Sequence, residues 1–143
     1  MARRQDLIDH LKNVPLFSRC TGRELRIVAR HAEPVRLPAG SVLFSEGDQG
    51  DAFFVVLGGS ADVRKGKGGR RVNTLGPGDW FGELALLDAA PRSASVVAVD
   101  QLEVAVLGAR IFRTLLRELP SISERLLAAL AGELRDARRY QDV

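Results

Sequence analysis

The mostly small and apolar stretch FGELALLDAAPRSASV, residues 81–96, contains an acid, Glu83, and a base, Arg92, nine positions apart. An arginine carries a planar fork of donors that matches a phosphate, and Ser93 adds a hydroxyl beside it. A carboxylate accepts hydrogen bonds, for example from a sugar hydroxyl. Either the two charges form an ion pair that fastens a loop, or each of them meets a different part of a ligand.

The residues around the two charges favour a ligand. Gly82 lets the backbone bend or approach another group closely. The run ELALL, residues 83–87, predicts a single helical turn, whose first N–H groups suit an anion. Pro91 presets the backbone before Arg92. An anion site beside a hydrogen-bond acceptor fits a phosphate close to a ribose, and therefore a nucleotide.

The elements that must position these residues are helices, then strands, then helices. Apolar residues at helical spacing predict helices over 4–13 and 22–32. Short β-rich runs separated by Gly, Pro and Asp turns then indicate an antiparallel barrel or jelly roll. The predicted strands are 35–37, 41–45, 52–57, 61–65, 70–75, 95–99 and 102–107.

Two further helices are predicted after the strands. The first covers 109–119, and Ser121 is placed to cap a final helix that runs to about residue 139. That helix carries an apolar stripe made of Ile122, Leu126, Leu127, Leu130, Leu134 and Ala137. The stripe suits packing on the barrel or on a second copy of the chain, so a homodimer through this helix stays open.

Composition limits the function. At 143 residues, with 45% hydrophobic and 27% charged residues, the chain suits one domain. A formal charge of +3 is too small to indicate nucleic-acid binding, and the apolar runs are too short to span a membrane. The sequence has no secretory signal and a single cysteine. We therefore expect a cytoplasmic protein with neither nucleic acid nor membrane as a partner.

The residue patterns of catalysis are missing from the sequence. Neither His10 nor His31 has a Cys or carboxylate at metal-ligand spacing, and no hydrolase, phosphate-loop or zinc-protease motif occurs. We expect no enzyme activity, no metal and no cofactor. The basic run RKGKGGRR, residues 64–71, falls in a Gly-rich hairpin tip and is interpreted as a solvated loop.

FGELALLDAAPRSASV resembles the phosphate-binding cassette of cyclic nucleotide-binding domains. That family includes bacterial catabolite activator-type regulators, regulatory subunits of cAMP-dependent kinase and cyclic nucleotide-gated channels. The resemblance covers nearly the whole chain, including PAGSVLFSEGDQGDAFFVVLGGSADV, residues 38–63. It implies an α+β, mainly β fold. An antiparallel eight-stranded β-roll (jelly-roll-like) over 34–107 would lie between N-terminal helices over 1–33 and hinge and lid helices over 108–143.

The resemblance also implies a role for the residues of the cassette. The ribose 2′-hydroxyl would be held by Glu83 together with the Gly82 backbone, since a cyclic 3′,5′-phosphate leaves that hydroxyl as the only free one. The phosphate would be bound by Arg92, by Ser93 and by the amides of Leu84 and Ala85.

The base would be a purine. Leu75 and Val72 would form its apolar wall, and Arg135, Arg138 or Tyr140 would cover it through a cation–π or aromatic contact. A hydroxyl residue such as Ser93 after the cassette arginine occurs in cGMP-preferring members and also in bacterial cAMP regulators. The bacterial style of the cassette favours cAMP, with cGMP as the alternative.

Three kinds of function remain open. In the first, a cyclic nucleotide enters the cassette, the C-terminal helices reposition, and a protein effector reads the change. In the second, the chain is the sensor half of a DNA-binding regulator, since the sequence stops at Val143 without a helix-turn-helix. In that case the chain is an excised piece of a longer protein. In the first case it is a free-standing sensor. The third is a structural β-roll without a ligand. The cassette favours the first.

Overall fold

The N-terminal part of the chain is helical, as predicted. The computed structural model describes residues 4–141, with side chains described for 5–137. Helix α1 spans Arg4–Lys12, a 3₁₀ turn follows at Pro15–Phe17, and α2 spans Gly22–His31. A capping box begins α2: the Thr21 hydroxyl accepts from the Glu24 N–H, and the Glu24 carboxylate accepts from the Thr21 N–H.

Between residues 4 and 141, eight strands form two antiparallel four-stranded sheets, which confirms the mainly β roll. The first sheet has the order β1 (Glu33–Leu37), β8 (Leu102–Gly108), β3 (Ala52–Gly58) and β6 (Trp80–Phe81). The second has the order β2 (Val42–Phe44), β7 (Ser95–Ala98), β4 (Ala61–Lys65) and β5 (Arg70–Leu75). The predicted strands omit β6, because two residues cannot show an alternating pattern.

Strand β3 separates two hydrophobic cores. All of residues 52–57 are buried, although alternate side chains of a strand point to opposite faces. Phe53 and Val55 pack with the helices on one face, whereas Phe54 and Val56 belong to the interior of the roll on the other. An apolar layer on each side explains the continuous run AFFVVL, which shows no polar alternation.

The C-terminal helices are α4, Ala109–Glu118, and α5, Pro120–Gln141. The prediction that Ser121 caps the last helix is wrong. Proline suits the first position of a helix, where no N–H is needed, so α5 begins at Pro120 and Ser121 lies inside its first turn. The Ser121 hydroxyl instead donates to the Glu24 carboxylate at 3.3 Å, which connects α5 to α2.

The apolar stripe of α5 is only partly covered. Ile122 and Leu126 are buried in the helical core, and Leu130 packs partly against it. Leu127 and Leu134 are 65% and 52% exposed. Within residues 4–141, no helix combines the length and the apolar character that crossing a bilayer requires.

Candidate functional site

The predicted cassette folds around a cavity of about 230 Å³ on the roll. Its helical turn is present as α3, Glu83–Leu87. Both cassette segments, 81–85 and 92–94, line the cavity. The remaining wall comes from the strands of the second sheet, from Trp80 of β6 in the first sheet, and from α5.

The Arg92 side chain is held by the fold. It is 3% exposed, and its two terminal nitrogens donate to the backbone carbonyls of Gly82 at 2.7 Å and Ala52 at 2.8 Å. Its guanidinium carbon lies 4.0 Å from the centroid of the Phe44 ring, in cation–π contact. The third nitrogen, Nε, is buried and has no hydrogen-bond partner among the residues that the structure describes. Such a donor is costly to bury, and a ligand oxygen would satisfy it.

The backbone of Arg92 is fixed as well. Its N–H donates to the Asp48 carbonyl at 2.7 Å, and its own carbonyl accepts from the Gly47 N–H at 2.9 Å. Both partners belong to the loop between β2 and β3. The loop is closed in turn by the Asp48 carboxylate, which accepts from the Ser45 N–H at 2.9 Å. The arginine therefore reaches the cavity from a rigid base.

Gly82 is required at the start of α3. Its φ is +91°, a left-handed conformation that favours glycine. A Cβ there would lie 2.9 Å from Arg92 Nη1 and 3.1 Å from the Ala52 oxygen. Because residue 82 has no side chain, the end of β6, the start of α3 and the Arg92 guanidinium can lie close together. The first N–H groups of α3, which include those of Leu84 and Ala85, have no acceptor within the helix, and both residues line the cavity.

Glu83 is buried beside Arg92 but does not pair with it. The side chain is 8% exposed. Burial raises the pKa of its carboxyl above the ordinary 4.5; the Glu83 backbone N–H counteracts this by hydrogen bonding, Glu133 adds to the rise, and the Arg92 charge opposes it. Among residues 5–137, the carboxylate within 4.0 Å of the Arg92 guanidinium belongs to Asp51, at 3.9 Å. The ion-pair interpretation of Glu83 and Arg92 therefore fails.

Asp51 contributes little binding to Arg92, because its side chain is 93% exposed and water screens the pair. Burial lowers the pKa of the Arg92 guanidinium, while the charges of Asp51, Asp48 and Glu83 raise it. An arginine stays protonated under these conditions. Inside the cavity, Arg92 thus presents a positive charge that no buried carboxylate neutralises by direct contact.

The residues predicted to bind the base are only partly brought together. Leu75 is buried and lines the cavity, and Ser93 lines it from the rim. Val72 is 42% exposed and lies outside the lining. Arg135 is also exposed and away from the cavity. The side chains of Arg138 and Tyr140 lie outside the described residues.

Sequence reasoning missed several cavity residues. Phe44, Asn73 and Trp80 come from strands whose neighbours only the folded sheet reveals. Glu133 lines the cavity from α5, in place of the predicted Arg135. Gly50, from the loop before β3, packs against α3 so closely that a Cβ would lie 2.6 Å from the Ala85 Cβ.

The site does not resemble a metal centre. Among the described residues, no group of three or more His, Cys, Asp and Glu side chains could hold a metal ion. Cys20 is remote from the cavity, and burial, followed by the nearby charge of Glu24, raises the pKa of its thiol to about 11. A thiol of that pKa is protonated and unreactive near neutral pH.

The family model of the cyclic nucleotide-binding domain matches residues 34–118, which contain the cassette and all of the roll except Glu33, the first residue of β1. The chain belongs to the cyclic nucleotide-binding domain family. The matched residues include both segments of the cassette that line the cavity.

Three relatives show how this cyclic nucleotide-binding domain compares with known proteins. A cAMP-dependent protein kinase regulatory subunit of Aspergillus niger is 42% identical over 115 residues, covering 80% of this chain and 28% of that protein. The crystal structure of the Thermus thermophilus catabolite activator protein matches with a TM-score of 0.82 and 37% identity, covering 90% of this chain and 62% of that one. The regulatory domain of Toxoplasma gondii PKA with cAMP matches with a TM-score of 0.80 and 32% identity, covering 92% and 50%.

The cyclic nucleotide-binding domain spans less than two thirds of each of these relatives. Since both eukaryotic and bacterial proteins match, the likeness does not assign the chain to bacteria.

Proposed function

We propose that this domain binds cAMP and acts, without catalysis, as a regulatory sensor whose C-terminal helices reposition on binding. The observation that carries the proposal is Arg92: a buried cation at the cavity wall with an unpartnered Nε donor. A cyclic phosphate supplies both the negative charge and the missing acceptor.

The second polar group of the cavity, Glu83, supports a ribose. Its carboxylate is buried and, among residues 5–137, has no Lys, Arg or His nitrogen within 4.0 Å. Its own backbone N–H counteracts the rise in its pKa by hydrogen bonding. A hydroxyl that donates to this carboxylate would offset part of its desolvation. In a 3′,5′-cyclic nucleotide, that hydroxyl is the one on the 2′ carbon.

The apolar part of the cavity suits a purine. Leu75, Val63 and Val96 line it from three strands of the second sheet. The match to the Toxoplasma regulatory domain with cAMP supports adenine. The hydroxyl of Ser93 at the rim keeps cGMP as the second candidate, because it can donate or accept a hydrogen bond.

Two contacts connect the cavity to the C-terminal helices. Arg113 of α4 donates to the carbonyl of Leu86, at the end of α3, at 3.3 Å. Glu133 of α5 lines the cavity itself. A ligand that shifts α3 or pairs with α5 would therefore bias the position of both helices, and a protein effector would read that bias. The exposed Leu127 and Leu134 are the side chains on α5 that would contact such an effector or a second copy of the chain.

Calorimetric titration with cAMP and cGMP tests the proposal. The intact chain is expected to bind cAMP more tightly than cGMP. Arg92→Ala should weaken cAMP binding by about tenfold to a hundredfold, as expected for a lost charge-assisted hydrogen bond. The matched control is Arg36→Ala, which removes an exposed arginine on β1 that pairs with Glu103. Its affinity should equal that of the intact chain.

A second titration isolates the ribose contact. With 2′-deoxy-cAMP, the intact chain should bind more weakly than with cAMP, whereas Glu83→Ala should bind the two ligands alike. If the intact chain does not bind cAMP even at millimolar concentration, the proposed function is wrong. If Arg92→Ala binds cAMP as tightly as the intact chain does, only the proposed contact between Arg92 and the phosphate is wrong. Arg92→Lys, which retains the charge, separates a lost contact from a misfolded chain.

A further inference from the structure

The lid helix brings a second carboxylate to the cavity. Among residues 5–137, Glu133 is the α5 residue that lines it. Glu133 is exposed, and its charge raises the pKa of the Glu83 carboxyl. Among residues 5–137, the charged side chains that line the cavity are one guanidinium, from Arg92, and two carboxylates, from Glu83 and Glu133.

This charge arrangement sets a limit on the ligand. Arg92 carries one positive charge, and its two terminal nitrogens already donate to backbone carbonyls. A single negative charge on the ligand is balanced by the guanidinium. A second one would face Glu83 and Glu133 in a partly dehydrated site, where like charges repel more strongly than in water.

We propose that Glu133 makes the cavity selective for a singly charged phosphodiester over a doubly charged phosphomonoester of the same nucleoside. The inference rests on the proposed function, since it concerns ligands of the same cavity. A cyclic phosphate carries one negative charge, whereas a phosphomonoester such as 5′-AMP carries nearly two at neutral pH, its second pKa being about 6. Glu133 would therefore exclude the acyclic mononucleotide by charge, in addition to any exclusion by shape.

The physical argument predicts a ratio. The repulsion between Glu133 and a ligand scales with the ligand's charge, so removing it favours a dianion by twice the free energy that it favours a monoanion. If Glu133→Gln strengthens cAMP binding about threefold, it should strengthen 5′-AMP binding about tenfold. Neutral adenosine should be unaffected. Salt should reduce the difference, because ions screen an exposed carboxylate.

Competition titrations at low and high salt test this inference. The three proteins are the intact chain, Glu133→Gln and Glu124→Gln, the last removing an exposed carboxylate of α5 that does not line the cavity. In Glu133→Gln, the dissociation constant of 5′-AMP divided by that of cAMP should be about threefold lower than in the intact chain. Glu124→Gln should leave this ratio unchanged, and high salt should make the decrease in Glu133→Gln smaller.

The outcomes are distinguishable. If the intact chain binds cAMP and the ratio is the same in Glu133→Gln, the inference is overturned and the proposed function stands. An equal fall in Glu124→Gln, or a matching gain for adenosine, also overturns it, since the effect would not come from a charge at the cavity. If the intact chain binds no cyclic nucleotide, the proposed function fails and the inference with it.

Discussion

The Arg92 guanidinium stacks on the ring of Phe44, with 4.0 Å between the guanidinium carbon and the ring centroid. The stack and the two carbonyl contacts hold the guanidinium in one orientation before a ligand arrives. A binding group positioned in advance loses less conformational entropy on binding, so we expect Phe44 to strengthen the proposed phosphate binding by orienting Arg92.

Replacement of Phe44 tests this preorganisation. Phe44→Leu should weaken cAMP binding by about threefold to tenfold, because a partly buried cation–π contact contributes about 1 kcal/mol. Phe44→Tyr retains the ring and should bind like the intact chain. Calorimetry measures both affinities. Equal affinity for the leucine and tyrosine variants would show that the ring does not orient Arg92.

Gly82→Ala should destabilise the domain and weaken ligand binding together. The left-handed backbone costs an alanine about 1–2 kcal/mol, and the added Cβ would press on Arg92 Nη1 and on the Ala52 carbonyl. Urea unfolding measures the loss. Gly108→Ala is the control, since its φ is −60° and no atom lies within 4 Å of the added Cβ. A loss of similar size in both variants would contradict the steric argument.

Glu83→Gln should stabilise the ligand-free domain near neutral pH. Because burial raises the folded-state pKa of this carboxyl, folding favours its protonated form. That contribution to stability is fully present below the unfolded pKa of about 4.3 and is lost as the pH rises through the higher folded pKa. At about pH 7 the ionised carboxylate is therefore a cost, which glutamine removes.

Thermal melts across the pH range check this prediction. Glu83→Gln should melt above the intact chain at about pH 7, by roughly 2–4 °C for each kcal/mol gained, and the difference should shrink towards about pH 4. Glu118→Gln, an exposed carboxylate at the end of α4, should show no such trend. A Glu83→Gln difference that is constant with pH would contradict the role of ionisation.

Ligand binding should slow hydrogen exchange in α3 and in the part of α5 around Glu133. A nucleotide in the cavity would contact α3. If α5 closes over the nucleotide, local opening of α5 should become rarer as well. Helix α1, which does not line the cavity, serves as the internal reference. Mass spectrometry with and without cAMP measures the change. Protection confined to α3 would contradict a repositioning of the lid helix.

The sequence predicts the residues of the site that are neighbours in the chain. It predicts few of the contacts between residues that are distant in the chain. The cassette turn, its glycine and its arginine are neighbours in the chain, so their pattern predicts α3 and the charges beside it. Phe44 reaches Arg92 only because β2 pairs with β7, which no local pattern specifies.

The α5 residue predicted to cover the base could have been placed better from periodicity, whereas Val72 could not. On β5, Val72 lies at a register shift, because Val63 pairs with Asn73 but Arg64 pairs with Arg71, so alternation along the strand does not fix its side. On α5, Glu133 follows the buried Leu126 by seven residues and shares its side of the helix. Arg135, two positions further on, is rotated about 200° away from Glu133. Helical spacing from Leu126 therefore predicts the position of Glu133. A stripe defined by apolar residues does not include it, because glutamate is charged.

The two apolar faces of β3 have a consequence for strand alignment. A strand with one polar face cannot slip by a residue without burying polar groups, but residues 52–57 would place apolar side chains on both sides in either alignment. The Arg92 donor that ends on the Ala52 carbonyl marks one position on this strand. A shift of β3 by one residue would move this carbonyl away from Arg92. The residue proposed to bind the phosphate therefore also favours the observed alignment of β3.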